Sequence, residues 1–157
     1  MLIELWSLGK ENVRDFELGI AEYANRINRY QRFTLVVIDN SKINKNIPLA
    51  QMKEKEMELI LQRLNERDLL ICLDENGKSF SSIQFAEQLN NWFNRSPQRL
   101  IFLIGGSYGI AKKLLDQSAA TVSLSKFTFP HQLVRLLFTE QLYRAFSILN
   151  NEKYHHE

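Results

Sequence analysis

Cysteine is nearly missing from this chain, with Cys72 alone among 157 residues. One thiol cannot form an intrachain disulfide, and such sparse use fits a reducing compartment, so a cytoplasmic protein is expected. The histidines are His131, His155 and His156, too few and too far from the thiol in sequence to suggest a structural zinc site, and no metal is expected. No apolar run approaches the roughly 20 residues of a membrane-spanning helix. Met1 to Lys10 lacks the basic start and long apolar stretch of a signal peptide, so neither membrane nor export is expected. Charge of one sign is also lacking: the net charge of +2 neither demands nor forbids a nucleic-acid partner. There is no Gly-x-Gly-x-x-Gly, no Gly-x-x-x-x-Gly-Lys and no Gly-x-Ser-x-Gly, which removes support for a Rossmann site, a P-loop or an α/β-hydrolase elbow. Repeats and low-complexity segments are absent.

What is present is an alternation of apolar strands and amphipathic helices, of a length that suits a single domain over residues 1–157. Leu2 to Leu8 reads as a strand. Residues 11–31 carry Val13, Phe16, Ile20, Tyr23 and Ile27 on one helical stripe, with Gly19 as a local cost. Phe33 to Ile38 is a second strand, Asn40 to Ile47 a polar loop, and Pro48 opens a charged helix whose apolar face is Met57, Ile60, Leu61 and Leu64. Leu69 to Leu73 and Leu100 to Ile104 are continuous apolar runs, the pattern of strands buried on both faces. Asp74 to Gly77 reads as a turn between them. Ser81 with Gln84 fits a capping box for a helix that turns Ile83, Ala86, Leu89 and Phe93 inward, and Pro97 lies beyond its end. A short helix after Gly109 and a strand from Ala120 to Leu124 follow. The last helix, about 130 to 149, is apolar on nearly every side, and so wide an apolar surface needs cover on more than one face; a homodimer is expected to supply part of it. Strands alternating with helices predict an α/β fold, a parallel sheet flanked by helices on both faces.

Polar bends follow three of the strands: Leu73-Asp74-Glu75, Ile104-Gly105-Gly106 and Leu124-Ser125-Lys126. In open α/β sheets ligands bind at the carboxyl ends of strands, so these bends form a candidate pocket. Gly105 and Gly106 would admit a close backbone approach, although a strand-to-helix turn needs glycine for its own geometry too. Hydroxyls and amides around Ser123, Ser125 and Thr128 lie between the last strand and the helix begun at Pro130. Glu140 and Arg144, four residues apart on the apolar last helix, fit an ion pair. Arg26, Arg29 and Arg32 place three cations within seven residues, a solvated helix surface or a phosphate-contacting patch.

Several of these segments together resemble the ribosomal RNA large subunit methyltransferase H family. They are Leu73-Asp74-Glu75-x-Gly77 with Ser81-Ser82, the run Phe102 to Ser107 with Gly109, and the block Ser123 to Gln132 containing Ser125-Lys126-Phe127-Thr128-Phe129-Pro130-His131. Glu140 to Ala145 and the closing Tyr154-His155 complete them. The likeness runs from Leu8-Gly9-Lys10 to the C-terminus; Phe127 stands where methionine is common and His156 where other basic residues occur. The resemblance implies a SPOUT-class methyltransferase with a C-terminal deep trefoil knot, an outcome that periodicity alone would never suggest because knots are rare. It implies S-adenosyl-L-methionine as cofactor, a homodimer, and N3 methylation of a pseudouridine in helix 69 of 23S rRNA on the assembled ribosome. Its cofactor positions fall on Leu73, Gly105, Leu124, Ser125, Lys126, Phe127, Thr128 and Phe129. The imide nitrogen of pseudouridine must lose a proton around the time of attack, which calls for a base or an acidifying positive group. His155 with Tyr154, and Arg144, are the candidates, with the tail reaching the site of the partner subunit. Arg26, Arg29, Arg32, Lys42 and Lys45 are candidate phosphate contacts. Two alternatives keep the fold: a different RNA nucleotide as target, and a catalytically silent ribosome-binding dimer.

Overall fold

A computed structural model describes residues 1–9 and 14–156. Val13 of the expected first helical stripe, and Lys10 of the first resembling segment, lie outside the described residues. The elements alternate along the chain: β1 (Leu2–Leu8), α1 (Arg14–Ile27), β2 (Phe33–Ile38), α2 (Leu49–Leu61), β3 (Asp68–Ser79), α3 (Ser82–Asn94), β4 (Arg99–Ile104), α4 (Lys112–Gln117), β5 (Ala120–Ser123) and α5 (His131–Leu149). The strands form one five-stranded sheet in the order β2-β1-β4-β3-β5, and every pairing is parallel. The expected α/β fold with helices on both faces is what the chain adopts.

The continuous apolar runs explain the two-sided burial. Successive residues of a strand point to opposite faces. Ile3, Leu5, Leu69, Ile71, Leu73, Leu100, Phe102 and Ile104 therefore enter one core, with Ile27 of α1, Phe85 and Leu89 of α3, and Phe138 and Leu142 of α5. Trp6, Leu8, Leu70, Cys72, Ile101 and Leu103 enter the other, with Met57 and Ile60 of α2 and Leu114 of α4. Residues 100–104 of β4, at the centre of the sheet, are 0 to 3% exposed.

Local signals hold in most places. Ser81 caps α3 reciprocally with Gln84, as the sequence predicts. Pro48 and Pro130 sit at the caps of α2 and α5, one position before the helical turns they were expected to open. Three expectations need correction. Asp74 to Gly77 does not end its strand: β3 continues to Ser79 through a bulge. On α3 the buried aromatics are Phe85 and Trp92, whereas Ile83 and Phe93 are half-buried, because α5 packs over one flank of the helix. Leu61 of α2 is exposed rather than inward, since the helix ends there.

The wide apolar surface of α5 is covered on several sides, but by its own chain. It lies between α1 and α3. The Phe138 ring is 4.6 Å from that of Phe102 and 6.1 Å from that of Phe85. Gly19 of α1 allows this approach, because a Cβ there would stand 2.9 Å from Leu136 Cδ1. Leu137 of this helix stays exposed. Phe138→Ala would empty the fully buried junction of sheet, α3 and α5. Unfolding free energy should fall by about 3–5 kcal/mol, read as a lower urea midpoint with an unchanged slope.

Candidate active site

The register of the sheet brings three chain exits to one level. Leu73 of β3 lies opposite Ile104 of β4 and opposite Val122 of β5, so the segments after these residues leave the sheet side by side. Between them is a cavity of about 610 Å³ lined by Leu73, Asp74, Glu75 and Asn76, by Ile104 to Ile110, and by Leu124, Ser125, Phe127, Thr128 and Phe129. That size falls among small-molecule sites, about 300–1,000 Å³. Seven of the eight expected cofactor positions line it: Leu73, Gly105, Leu124, Ser125, Phe127, Thr128 and Phe129. Lys126, between them, is not part of the wall.

Each wall is shaped by local chemistry. After Leu73 the strand bulges: Leu73 and Lys78 both face Val122. The intervening bend is closed where the Asn76 N–H donates to Asp74 Oδ1 at 2.9 Å. Gly77 permits the strand's return, since a Cβ there would lie 2.6 to 2.7 Å from the Thr121–Val122 backbone. After β4, the Gly109 N–H donates to the Gly106 carbonyl at 3.0 Å, with Gly109 at φ +85°. That left-handed conformation favours glycine. Gly105 is equally constrained, because a Cβ would meet Ile110 Cγ1 at 2.6 Å. After β5, Ser123 Oγ donates to the Ser125 carbonyl at 3.0 Å and the Phe127 N–H donates to Ser125 Oγ at 3.0 Å. These hydroxyls brace the loop, and Ser125 lines the cavity as well. Phe127 itself is 79% exposed at the rim.

A second cavity, of about 840 Å³, adjoins the first across Gly106 to Tyr108 and Phe129 to His131. Leu8, Gly9 and Asn40 at the ends of β1 and β2, and Leu49, Met52 and Glu56 of α2, line it. Glu56 is buried, its Oε1 accepts from Asn40 Nδ2 at 3.0 Å, and burial pushes its pKa up against the opposing pull of Asn40 and Lys53. Sequence reasoning missed this residue within a charged helix. The available signal was its place between Met52 and Ile60 at intervals of four, on the helix's inner stripe.

The three candidate catalytic residues are gathered elsewhere. Arg144 Nε and Nη2 donate to Glu140 Oε1 at 2.9 and 2.5 Å, bearing out the expected pair. The guanidinium lies 4.8 Å from the Tyr154 ring centre. Tyr154 donates to the same carboxylate oxygen at 3.1 Å, and its hydroxyl is 3.4 Å from that of Tyr23. Arg144 Nη1 stands 3.3 Å from His155 Nδ1. A guanidinium can only donate, so Nδ1 accepts and a neutral ring carries its proton on Nε2. The Glu140 hydrogen bond holds Arg144 above its ordinary pKa. Burial, then the Tyr23 contact and Glu140, push the Tyr154 phenol well above the usual tyrosine range. None of the three lines either cavity of its own chain. Arg144 is thirteen residues along α5 from His131, about 20 Å of helix. Of the candidate phosphate contacts, Arg29, Arg32, Lys42 and Lys45 are exposed, whereas Arg26 is half-buried, bonded to Glu22 at 2.8 Å and 5.4 Å from the Tyr143 ring centre.

Among the described residues no helix is long and apolar enough to cross a membrane, and no group of three or more histidine, cysteine or acidic side chains could hold a metal ion.

A parallel sheet with a loop-built cavity at three adjacent strand ends is matched, over residues 1–155, by the family described as predicted SPOUT methyltransferase, and the chain belongs to that family. Within it the similarity is to proteins named ribosomal RNA large subunit methyltransferase H. The one from Parabacteroides distasonis is 47% identical over 157 residues, covering 100% of both chains. That from Flavobacterium johnsoniae is 46% identical with the same full coverage. The family resemblance drawn from the motifs is thereby borne out. A solved structure, a probable methylase family protein from Haemophilus influenzae, superposes with a TM-score of 0.55 at 12% identity, covering 99% of this chain and 70% of that one. At that identity the likeness concerns the fold.

The raised phenols make stability fall in alkali. Tyr154 and Tyr30, the latter shifted by burial and by Glu152, hold their protons more tightly folded than unfolded. Folded protein therefore binds more protons than unfolded protein above the ordinary tyrosine value of 10.0, and stability declines as pH rises through that point. Urea midpoints between pH 8 and 11 should show this decline, and Tyr30→Phe with Tyr154→Phe should flatten it.

Proposed function

We propose that the chain is an S-adenosyl-L-methionine-dependent methyltransferase of large-subunit 23S rRNA, acting on N3 of a pseudouridine in helix 69 of the assembled ribosome in the cytoplasm. The observation that carries the reading is the convergence of Leu73, Gly105 and residues 124–129 on one cavity, in a chain so similar over its full length to proteins bearing that methyltransferase name. The cavity fits such a donor: aliphatic walls from Leu73, Ile104 and Leu124 can flank a purine, and glycine backbone lets polar groups approach closely. Leu73, Gly105, Leu124, Ser125, Phe127, Thr128 and Phe129 would hold it, with Lys126 at the mouth. The cofactor supplies a methyl already activated on a sulfonium. What remains for the protein is alignment, exclusion of water and help with the departing imide proton.

Arg144, Tyr154 and His155 belong to this reading as a group supplied to the cavity by a second copy. Their distance from the cavity of their own chain supports that division. So do the exposed apolar side chains Leu18, Leu35, Val37 and Leu137, carried by α1, β2 and α5, which a homodimer would cover. One domain of residues 1–157 and the C-terminal trefoil knot form part of the same proposal. A shifted phenol and a permanent cation suit hydrogen bonding to imide oxygens as they gain charge. The exposed Arg29, Arg32, Lys42 and Lys45, with Arg26, are assigned to phosphate contacts on the ribosome.

Thermal melting with S-adenosyl-L-methionine tests the donor site: at a hundredfold excess over Kd, binding to the folded state alone adds about 2.7 kcal/mol. No shift at any concentration would remove the assignment. Labelled methyl transfer to ribosomes, separate subunits and naked rRNA, followed by mapping of the base, tests the acceptor. Deleting residues 154–157 should abolish transfer and leave the cofactor-induced shift nearly intact; loss of both would refute the division between cavity and tail. Neutralising Arg26, Arg29 and Arg32 together should weaken ribosome binding and flatten its salt dependence.

A further inference from the structure

Methyl transfer requires two sites in contact, because the reacting atoms must approach to about 3–3.5 Å. The donor cavity adjoins a second cavity of suitable size, which shares with it the wall Gly106 to Tyr108 with Phe129 and His131. This neighbour opens over the seam of β1 and β4, where the chain order reverses: β1 leads outward to β2, while β4 is entered from β3 on the far side. Open parallel sheets place ligands at such a seam. The lining suits a flat ring with a polar edge. Leu49 and Met52 offer apolar surface, Lys45 and Arg135 carry positive charge, and the Tyr108 ring, 62% exposed, stands on the shared rim.

Glu56 occupies the inner part of this wall. It is 7% exposed. Its two carboxylate oxygens lie 2.7 and 2.8 Å from where a Cβ on Gly106 would be, so the carboxylate is pressed against the backbone that separates the cavities. Asn40 holds Oε1 at 3.0 Å and fixes the orientation of the group. A buried carboxylate needs a purpose or a partner; Asn40 is neutral, and the charge of Lys53 offsets its burial only in part. Desolvation also raises its proton affinity, which brings a carboxylate closer to the range useful for a base at neutral pH.

Resting on the methyltransferase reading above, we propose that the second cavity receives the acceptor nucleobase and that Glu56 takes the proton from its ring imide nitrogen. As that nitrogen forms its bond to the methyl carbon, its proton passes to the Glu56 carboxylate, and the pair of the broken carbon–sulfur bond stays on the donor's sulfur. The sulfonium charge is lost, the carboxylate becomes a neutral acid, and solvent later removes the proton. Asn40 and Lys53 act on Glu56 directly, and the other titratable groups lining the same cavity are Asp39 after β2, Lys45 in the following loop, and His131 and Arg135 of α5. Glu56 must be ionised to accept, so the rate should fall on the acid side.

Glu56→Gln tests the assignment, since it keeps the shape and an oxygen for Asn40 but cannot take the proton. Melting with S-adenosylhomocysteine should give the native shift, while single-turnover transfer to saturating ribosomal substrate drops by about 10²–10⁴-fold and loses its acid limb. Glu56→Asp should retain the limb. A Glu56→Gln rate close to native, or an unchanged acid limb, overturns the role of Glu56. Leu49→Trp, at a site 46% exposed on the cavity rim, tests the cavity without touching the buried carboxylate. It should raise KM for the ribosomal substrate several-fold with no change in the S-adenosylhomocysteine shift; an unchanged KM overturns the acceptor assignment. If native protein binds the donor analogue but methylates no RNA, the functional reading falls and this inference with it. Native activity beside unimpaired variants sinks this inference alone.

Discussion

The parallel register of β3 on both its neighbours is the constraint from which the functional end of the molecule follows. Leu73 is aligned with Ile104 on one side and Val122 on the other. Two-sided burial locks that alignment, because a slip of one residue would turn Leu69, Ile71 and Leu73 into the wrong core and Leu70 and Cys72 with them. With the strands fixed, three polar bends must emerge together. The cavity between them is thus a product of the core, even though the residues lining it are largely loop.

The apolar runs made the sheet legible, since they are long enough for period and composition to agree. Ser81 and Gln84 marked the start of α3 because a cap is a local chemical event, settled within four residues. Asp74 to Gly77 misled for the same reason: the bend is real, closed by Asp74 and Asn76, but only the neighbouring strand decides whether the chain turns away or rejoins the ladder. Phe85 and Trp92 were passed over because the breadth of the inward face of α3 depends on where α5 lies across it. In the site, residues 124–129 and the glycines were visible as motifs. Glu56 was not, because a buried acid in a charged helix looks like any solvated one until Gly106 is seen against it.

Polar side chains near the cavity divide into those that shape it and those left to react. Ser123 donates to the loop backbone and Ser125 Oγ accepts from it, which braces the loop. Glu140 collects Arg144 and Tyr154 into one cluster at the far part of α5. Glu56 differs, set by Asn40 against the Gly106 backbone with Lys53 acting on its charge. The Arg144–Glu140 ion pair and the buried Glu56 are therefore held by different parts of the fold, one on α5 and the other on α2.

The bulge in β3 also sets how the edge strand is held. Ile71 to Leu73 hold Ala120 to Val122, and beyond the bend Lys78 and Ser79 take hold of Val122 and Ser123. The short edge strand is clasped twice by one neighbour, so it cannot peel off to admit a visitor. The segment outside the sheet runs from past Ser123 to the start of α5 at His131. So brief a loop, tethered at both ends and braced in its middle by Ser125, holds Phe127 out at its exposed edge.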